Sequence, residues 1–187
     1  MDVKETIKFR RAYRSLKPVK ITKNLVNDLS KCAQLSASCF NNQPWRYVFV
    51  YKPEVLKKMH EALSSGNEWA KDASMIIAVF CNRENDCIIK DREYYLFDTG
   101  MATAFIILRA TELGLVAHPI AGFSPKKVRE ILNIPEKMNV ITLVIVGKHS
   151  SEIKSVLSDK QKKAEKHRPK RFSIKKIAFM NIYSENK

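Results

Sequence analysis

Three arginines near the start of the chain have the clearest potential for ligand chemistry. Arg10, Arg11 and Arg14 lie within five positions of the segment FRRAYRS. A guanidinium group donates paired hydrogen bonds to phosphate or carboxylate oxygens, and such charge-assisted bonds are about twice as strong as neutral ones. The cluster therefore indicates an anion site. A solvated cationic helix end is the alternative interpretation.

A polar loop, SCFNNQPW, is the second candidate and runs from Ser38 to Trp45. Ser38, Asn41 and Asn42 favour turns, because their side chains hydrogen-bond to the nearby backbone. Pro44 moves the residue before it out of helical geometry. The hydroxyl and amide groups of such a loop suit the polar edge of a heteroaromatic ring. The alternative is an ordinary polar loop with Trp45 in the core.

The third candidate is a loop of small residues that follows a buried helix. Nearly every position from Met101 to Leu108 is apolar. A helix that is apolar on all sides is buried, either in a core or against another subunit. Gly114 suits the left-handed end of that helix. We expect a short strand to follow and to lead into the loop Pro119–Gly122, whose backbone N–H groups can face a flat ligand.

The remaining patterns predict the elements that position these candidates. They predict helices at Asp2–Tyr13, after Thr22, at Glu54–Leu63 and after Ser124, and strands at Tyr47–Tyr51, Met75–Cys81 and Asn139–Gly147. Residues 148–187 are rich in lysine and arginine, and we expect a flexible basic segment there. It ends in FSIKKIAFMNIY, whose renewed apolar spacing predicts docking onto another surface.

The net charge of +15 admits three kinds of partner: nucleic acid, an anionic membrane surface or a phosphorylated ligand. Nucleic acid is disfavoured because aromatic residues do not alternate with the basic residues, as base stacking requires. No apolar stretch reaches the length of about 20 residues that crosses a membrane. The length of 187 residues favours one domain.

The cysteines, histidines and glycines exclude several classes of site. The four cysteines show no CxxC and no metal-ligand spacing with the histidines, so we predict reduced thiols, no metal site and a cytoplasmic protein. All five glycines are isolated, which excludes Rossmann and P-loop phosphate motifs. No Ser-His-Asp or Cys-His set is visible, and we assign no catalytic side chain.

Taken together, the motifs resemble those of the nitroreductase family of FMN-dependent oxidoreductases. The R-R-x-x-R pattern is similar to the family's phosphate motif, and SCFNNQPW resembles its S-S-x-N-x-Q-P-W loop. The stretch Asp98–Leu115 resembles its interface helix, and HPIAGF resembles its flavin-edge loop. RFSIKKI, at 171–177, is similar to its C-terminal motif. The resemblance covers nearly the whole chain.

The resemblance implies an α+β fold with a mainly antiparallel central sheet flanked by helices, in an intertwined homodimer. The basic segment 148–187 would wrap around the partner subunit and add a strand. FMN would be the cofactor and NADH or NADPH the electron donor, with the chemistry at the flavin N5 atom. The resemblance assigns the following residues to cofactor binding: Arg10, Arg11, Ala12, Arg14, Ser38, Cys39, Asn41, Asn67, Pro119, Ile120, Ala121, Gly122, Arg168 and Arg171.

Within this set the resemblance assigns separate parts of the flavin. The arginines would hold the phosphate, with Arg168 or Arg171 joining from the basic segment. Ser38, Cys39 and Asn41 would come from the partner subunit, and Asn67 would face the pyrimidine edge. Ala12 stands where the family often has serine, which removes one hydroxyl.

The implied reaction is hydride transfer from NAD(P)H through the flavin to nitroaromatic, quinone or similar planar acceptors. A flavin reductase, or another specialised flavin reaction on the same fold, is the first alternative. A basic nucleic-acid-binding protein without catalysis is the alternative from another class.

Overall fold

The computed structural model describes residues 1–184, and its sheet is organised around one long strand. The strands are β1 (Leu16–Lys17), β2 (Trp45–Val50), β3 (Met75–Cys81), β4 (Ile88–Ile89), β5 (Arg92–Glu93), β6 (Val116–Ile120) and β7 (Asn139–His149). Strand β7 pairs with β3, which pairs in turn with β2, and it also pairs with β6 and, at its end, with β1. All these pairings are antiparallel, and β4 and β5 form a separate small hairpin.

The part of the chain that the structure describes contains six α-helices: α1 (Val3–Phe9), α2 (Lys23–Gln34), α3 (Pro53–Met59), α4 (Tyr95–Glu112), α5 (Pro125–Leu132) and α6 (Asp159–Lys166). Four of them begin at a residue whose side chain accepts a backbone N–H of the first turn: Asp2, Thr22, Ser124 and Ser158. Such a cap contributes typically about 1 kcal/mol. The predicted helix starts after Thr22 and Ser124 are thereby confirmed.

Strand β3 is buried on both of its faces, which explains its continuous run of apolar residues. Ile76 and Ala78 pack into a cluster with Val128 of α5, whereas Ile77 and Val79 pack into a second cluster with Ile106 of α4. Helices therefore cover both faces of a mainly antiparallel sheet. The predicted α+β architecture is confirmed.

Several element boundaries differ from the predictions. Helix α1 ends at Phe9 rather than at Tyr13, because the backbone angles of Arg10, φ −54° and ψ 118°, are not helical. Helix α3 ends at Met59 and continues as a short 3₁₀ turn, and β7 extends two residues beyond the predicted end at Gly147. Pro119 and Ile120 belong to β6 instead of the loop that follows it.

The segment predicted to be flexible contains helix α6, so that expectation was wrong for this part of it. Ser158 and Gln161 form a reciprocal capping box at the start of the helix. Glu165 in its last turn is buried against the N-terminal part of the chain. The last three residues of the predicted basic segment, 185–187, lie outside the described residues.

His118 links β6 to the arginine-rich segment. Its ring stacks on Trp69 with the centroids 4.8 Å apart, and its Nδ1 atom lies 3.0 Å from the carbonyl oxygen of Tyr13. The side chain is only 6% exposed. Burial lowers the pKa of His118 from 6.5 to about 4, so the ring is neutral in the native state at pH 7.

Lowering the pH below 6.5 should therefore destabilise the protein through His118. Below that value the unfolded chain binds a proton that the folded chain does not bind, until the pH reaches about 4. At pH 5 we expect the free energy of unfolding to be lower by about 2 kcal/mol, whereas above pH 6.5 we expect no loss from His118. Urea unfolding of wild type and His118→Gln at pH 7.5 and 5 measures it, with the exposed His167→Gln as control. Equal losses in wild type and His118→Gln would contradict the assignment.

Candidate functional site

The arginine segment and the helix α6 region enclose a cationic cavity. Its volume is about 450 Å³. It is lined by Arg10, Arg11, Ala12, Arg14, Ser158, Lys160, Gln161, Ala164, Arg168, Pro169 and Arg171. Among these described residues six carry a positive charge and none carries a negative one. We call this space the cationic cavity; its potential favours an anion.

A buried carboxylate fixes α6 against the arginine segment. The two oxygens of Glu165 accept the backbone N–H groups of Arg14, at 2.8 Å, and Ser15, at 3.1 Å. Hydrogen bonds to a charged acceptor are stronger than neutral ones. Because Ser15 is fully buried, its N–H group would be left without an acceptor if Glu165 were removed. Glu165 therefore sets how the two walls of the cationic cavity meet.

Two of the arginines also bond to the ends of helices. Arg11 donates to the carbonyl oxygen of Ala164 at 2.8 Å, near the C-terminus of α6. Arg168 donates to the carbonyl oxygens of Lys8 and Arg10, at the C-terminus of α1. Cations are favourable at these negative helix ends. Arg11 and Arg168 thus hold the walls together in addition to lining the cavity.

Arg10 is an uncompensated charge of the cationic cavity. Within residues 1–184 its guanidinium group has no hydrogen-bond or ion-pair partner. Burial, followed by the charges of Arg168, Arg171 and Arg11, lowers the pKa of Arg10. Burial likewise lowers the pKa of Arg14, against a smaller opposing effect of Glu165. An anion in the cationic cavity would relieve this repulsion.

A second part of the predicted site contains Asn67 and Gly122, which are in contact with each other. The Asn67 side-chain amide donates to the Gly122 carbonyl oxygen at 2.9 Å. A Cβ atom at position 122 would lie 2.3 Å from the Asn67 Nδ2 atom, so this contact requires glycine. Beside them Ala121 and Pro119 are exposed, whereas Ile120 is buried in the core. The Ile120 side chain is therefore largely out of reach of a ligand, and its carbonyl oxygen accepts the Thr142 hydroxyl at 2.9 Å.

The loop that contains Ser38, Cys39 and Asn41 does not line the cationic cavity. The backbone N–H of Cys39 donates to the Asp98 carboxylate at 2.7 Å, and that of Gln43 donates to the Ser38 hydroxyl at 3.0 Å. We call residues 38–43 the amide loop.

The prediction that all cysteines are reduced was wrong, because Cys39 is joined to Cys87 in a disulfide bond. Trp45 of β2 lies opposite Cys81 of β3 in the antiparallel sheet. The segment before β2 and the segment after β3 therefore meet at the same edge. This long-range pairing has no local spacing signal, so sequence reasoning could not find it. Cys32 and Cys81 are free.

The structure thus brings together Arg10, Arg11, Ala12 and Arg14 with both predicted arginines of the basic segment. Sequence reasoning missed the four residues that α6 and its cap contribute, which are Ser158, Lys160, Gln161 and Ala164. The Ser-x-x-Gln pattern of a capping box was the signal that could have found them.

Comparison with known proteins agrees with this architecture. The nitroreductase family model matches residues 7–148. Two archaeal proteins carry the provisional name NADH dehydrogenase/NAD(P)H nitroreductase. That of Archaeoglobus fulgidus is 32% identical over 143 residues, covering 74% of this chain and 80% of its own. That of Methanothermobacter thermautotrophicus is 28% identical over 152 residues, covering 79% and 77%.

A solved structure described as an oxidoreductase containing FMN superposes with a TM-score of 0.84 at 26% identity. The match covers 100% of this chain and 94% of that one. The chain belongs to the nitroreductase family, as its motifs predicted, and that family is one of oxidoreductases. Within residues 1–184 no helix combines the length and apolarity needed to cross a membrane.

Proposed function

We propose that the protein is an FMN-dependent oxidoreductase that passes hydride from NADH or NADPH to nitroaromatic, quinone or similar planar acceptors. The observation that carries the proposal is the cationic cavity, whose lining contains six positive charges and no carboxylate among the described residues. A flavin mononucleotide ends in a phosphate group, which is the kind of ligand that such a lining favours.

The residues of the cationic cavity fit that phosphate. Arg10 and Arg14 would provide the principal contacts, because both are half-buried and neither is neutralised by a carboxylate in the lining. Lys160 and Arg171 would approach from the opposite wall. Bound FMN would supply hydride transfer, while the protein supplies binding and orientation, so no acid–base side chain is required.

The other predicted residues would serve the flavin ring. The backbone of residues 119–122 would lie along the ring, where the bond from Asn67 to the Gly122 carbonyl holds it in place. In our proposal Ser38, Cys39 and Asn41 reach this ring from a partner subunit.

Exposed apolar side chains support a homodimer. Six residues of the C-terminal part, Phe172, Ile174, Ile177, Met180, Ile182 and Tyr183, are between 62% and 85% exposed. Phe9 of α1 and Phe97 of α4 are exposed as well. Apolar surface of this extent marks interaction sites. We propose that the C-terminal part wraps around a second copy of the chain, and that the protein is a single-domain cytoplasmic enzyme.

Reduction of the purified protein under anaerobic conditions tests the function. We expect a yellow protein with the flavin absorbance at roughly 450 nm, because FMN is the proposed cofactor. Stopped-flow mixing with NADH and with NADPH should bleach this band, and a panel of quinones and nitroaromatics should restore it. Restoration by free flavin alone would favour the flavin-reductase alternative.

The opposite outcome is a colourless protein that takes up no FMN. Nucleic-acid affinity that falls steeply with salt would then favour the binding protein without catalysis. Between residues 148 and 171 no phenylalanine, tyrosine or tryptophan alternates with the basic residues, which argues against that alternative.

A further inference from the structure

We propose that the Cys39–Cys87 disulfide is a reversible redox site that controls the conformation of the amide loop. This inference rests on the proposed function in one respect: it takes the amide loop to be the part of the protein that contacts the flavin ring. The bond itself, and the strain of the loop it restrains, are properties of the structure.

The first argument is the backbone of the amide loop. Phe40, Asn41 and Gln43 have φ angles of 46°, 58° and 49°. L-amino acids other than glycine disfavour this left-handed region, and a bulky residue such as phenylalanine is particularly uncommon there. Such a conformation persists only where the surroundings enforce it.

The second argument is the kind of restraint that enforces it. Hydrogen bonds within the loop contribute, as does one from Arg46 to the Gln43 carbonyl oxygen at 2.9 Å. The disulfide ties Cys39 to Cys87, and Asp98 accepts the Cys39 N–H at 2.7 Å. Ser38 accepts the Gln43 N–H at 3.0 Å, whereas the contacts from the Asn42 amide to Asp86 and Cys87 are long, at 3.4 and 3.5 Å. The disulfide is the only covalent restraint among them, so its loss would let the loop relax.

The third argument is access. Phe40 is 86% exposed, and Asn41 and Asn42 are exposed beside it. Cys39 is half-buried, whereas Cys87 is only 8% exposed. An incoming thiolate can therefore reach Cys39 more readily than Cys87.

The chemistry is thiol–disulfide exchange with a dithiol reductant. A thiolate of the reductant attacks Cys39 Sγ, the Cys39–Cys87 bond breaks, and Cys87 leaves as a thiolate that takes up a proton. The second thiol of the reductant then attacks the mixed disulfide and releases Cys39, which also gains a proton. Two electrons pass to the protein and the reductant becomes a disulfide. In a reducing compartment, disulfides are typically transient and redox-sensing, which fits this assignment.

Cleavage by chymotrypsin after Phe40 tests the redox control of the loop without relying on FMN. We expect the protein reduced with dithiothreitol to be cleaved there about 10-fold faster than the oxidised protein. The reason is that the free energy of ordering a few side chains of the loop corresponds to about a factor of 10 in the cleavage rate. Cys87→Ser should show the fast rate in both conditions. Cys32→Ser, which changes a free cysteine, should keep the wild-type difference.

Alkylation and FMN binding complete the test. In the native protein, dithiothreitol should expose Cys39 and Cys87 to iodoacetamide, and oxidised glutathione should restore the bond. The dissociation constant of FMN should rise about 10-fold on reduction of wild type, in proportion to the lost ordering of the loop. Equal cleavage in the two states, equal FMN affinity, or a bond that opens only in denaturant overturns the proposal.

The failure of the proposed function gives a different result. In that case neither redox state binds FMN, and the control of flavin affinity fails with it. The cleavage and alkylation rates still decide whether Cys39 and Cys87 form a reversible redox site.

Discussion

Replacing both Arg10 and Arg14 with alanine is expected to raise the dissociation constant of FMN by about 100-fold or more. A hydrogen bond to a charged group contributes about 1.5–3 kcal/mol, and every 1.4 kcal/mol is about a factor of 10 in affinity. Both side chains line the cationic cavity, and neither is paired with a carboxylate in its lining. Fluorescence titration of the apoprotein with FMN measures the change.

Two further double variants separate geometry from charge. Arg10→Lys with Arg14→Lys keeps the charge but loses the paired donors, so FMN affinity should fall to an intermediate value. Lys163→Ala with Lys166→Ala removes the same charge from α6 at positions that do not line the cavity, so affinity should hardly change. If the alanine pair retains FMN as the wild type does, the phosphate assignment is wrong.

Removing the Glu165 carboxylate should have the second largest effect. In Glu165→Ala the backbone N–H groups of Arg14 and Ser15 lose their acceptor. An unsatisfied buried donor costs about 1–3 kcal/mol, so the docking of α6 should weaken by about 3 kcal/mol. Tryptic cleavage within α6, which contains four lysines, should then accelerate by about 100-fold when opening is fast relative to cleavage.

Glu165→Gln is the matched variant, because its amide oxygen can still accept one of the two N–H groups. We expect its cleavage rate to lie between those of wild type and Glu165→Ala. Glu152→Ala, at an exposed position, should cleave at the wild-type rate. FMN affinity should fall from wild type to Glu165→Gln and further to Glu165→Ala, because α6 forms one wall of the cationic cavity. Unchanged cleavage in Glu165→Ala would show that other contacts hold the helix.

The sequence predicted best those elements whose burial is visible in their own residues. The continuous apolar run of β3 gave its bounds, and the cap residues Thr22 and Ser124 gave the starts of α2 and α5. By contrast, β1, with only two residues, carries no periodic signal and exists because β7 extends far enough to pair with it.

The candidate site was predictable where one short motif contains its residues, as in the arginine segment. The capping box could have predicted helix α6 itself. Its place in the wall of the cationic cavity could not be predicted, because one buried carboxylate fixes the helix and the partners of that carboxylate lie about 150 residues away. The disulfide escaped prediction for the same reason, since Cys39 and Cys87 meet only after β2 and β3 have paired.

The pairing of β7 has a consequence for ligand length. Strand β7 pairs with β1, which follows the arginine segment, and with β6, which leads into the residues around Gly122. Leu16 lies opposite His149 and Ile120 opposite Leu143, so the two attachment points are about 20 Å apart along the strand. The hydrogen bonds of β7 thus fix the distance between the two attachment points. A molecule bound at both places must match this distance in length as well as carry a suitable charge.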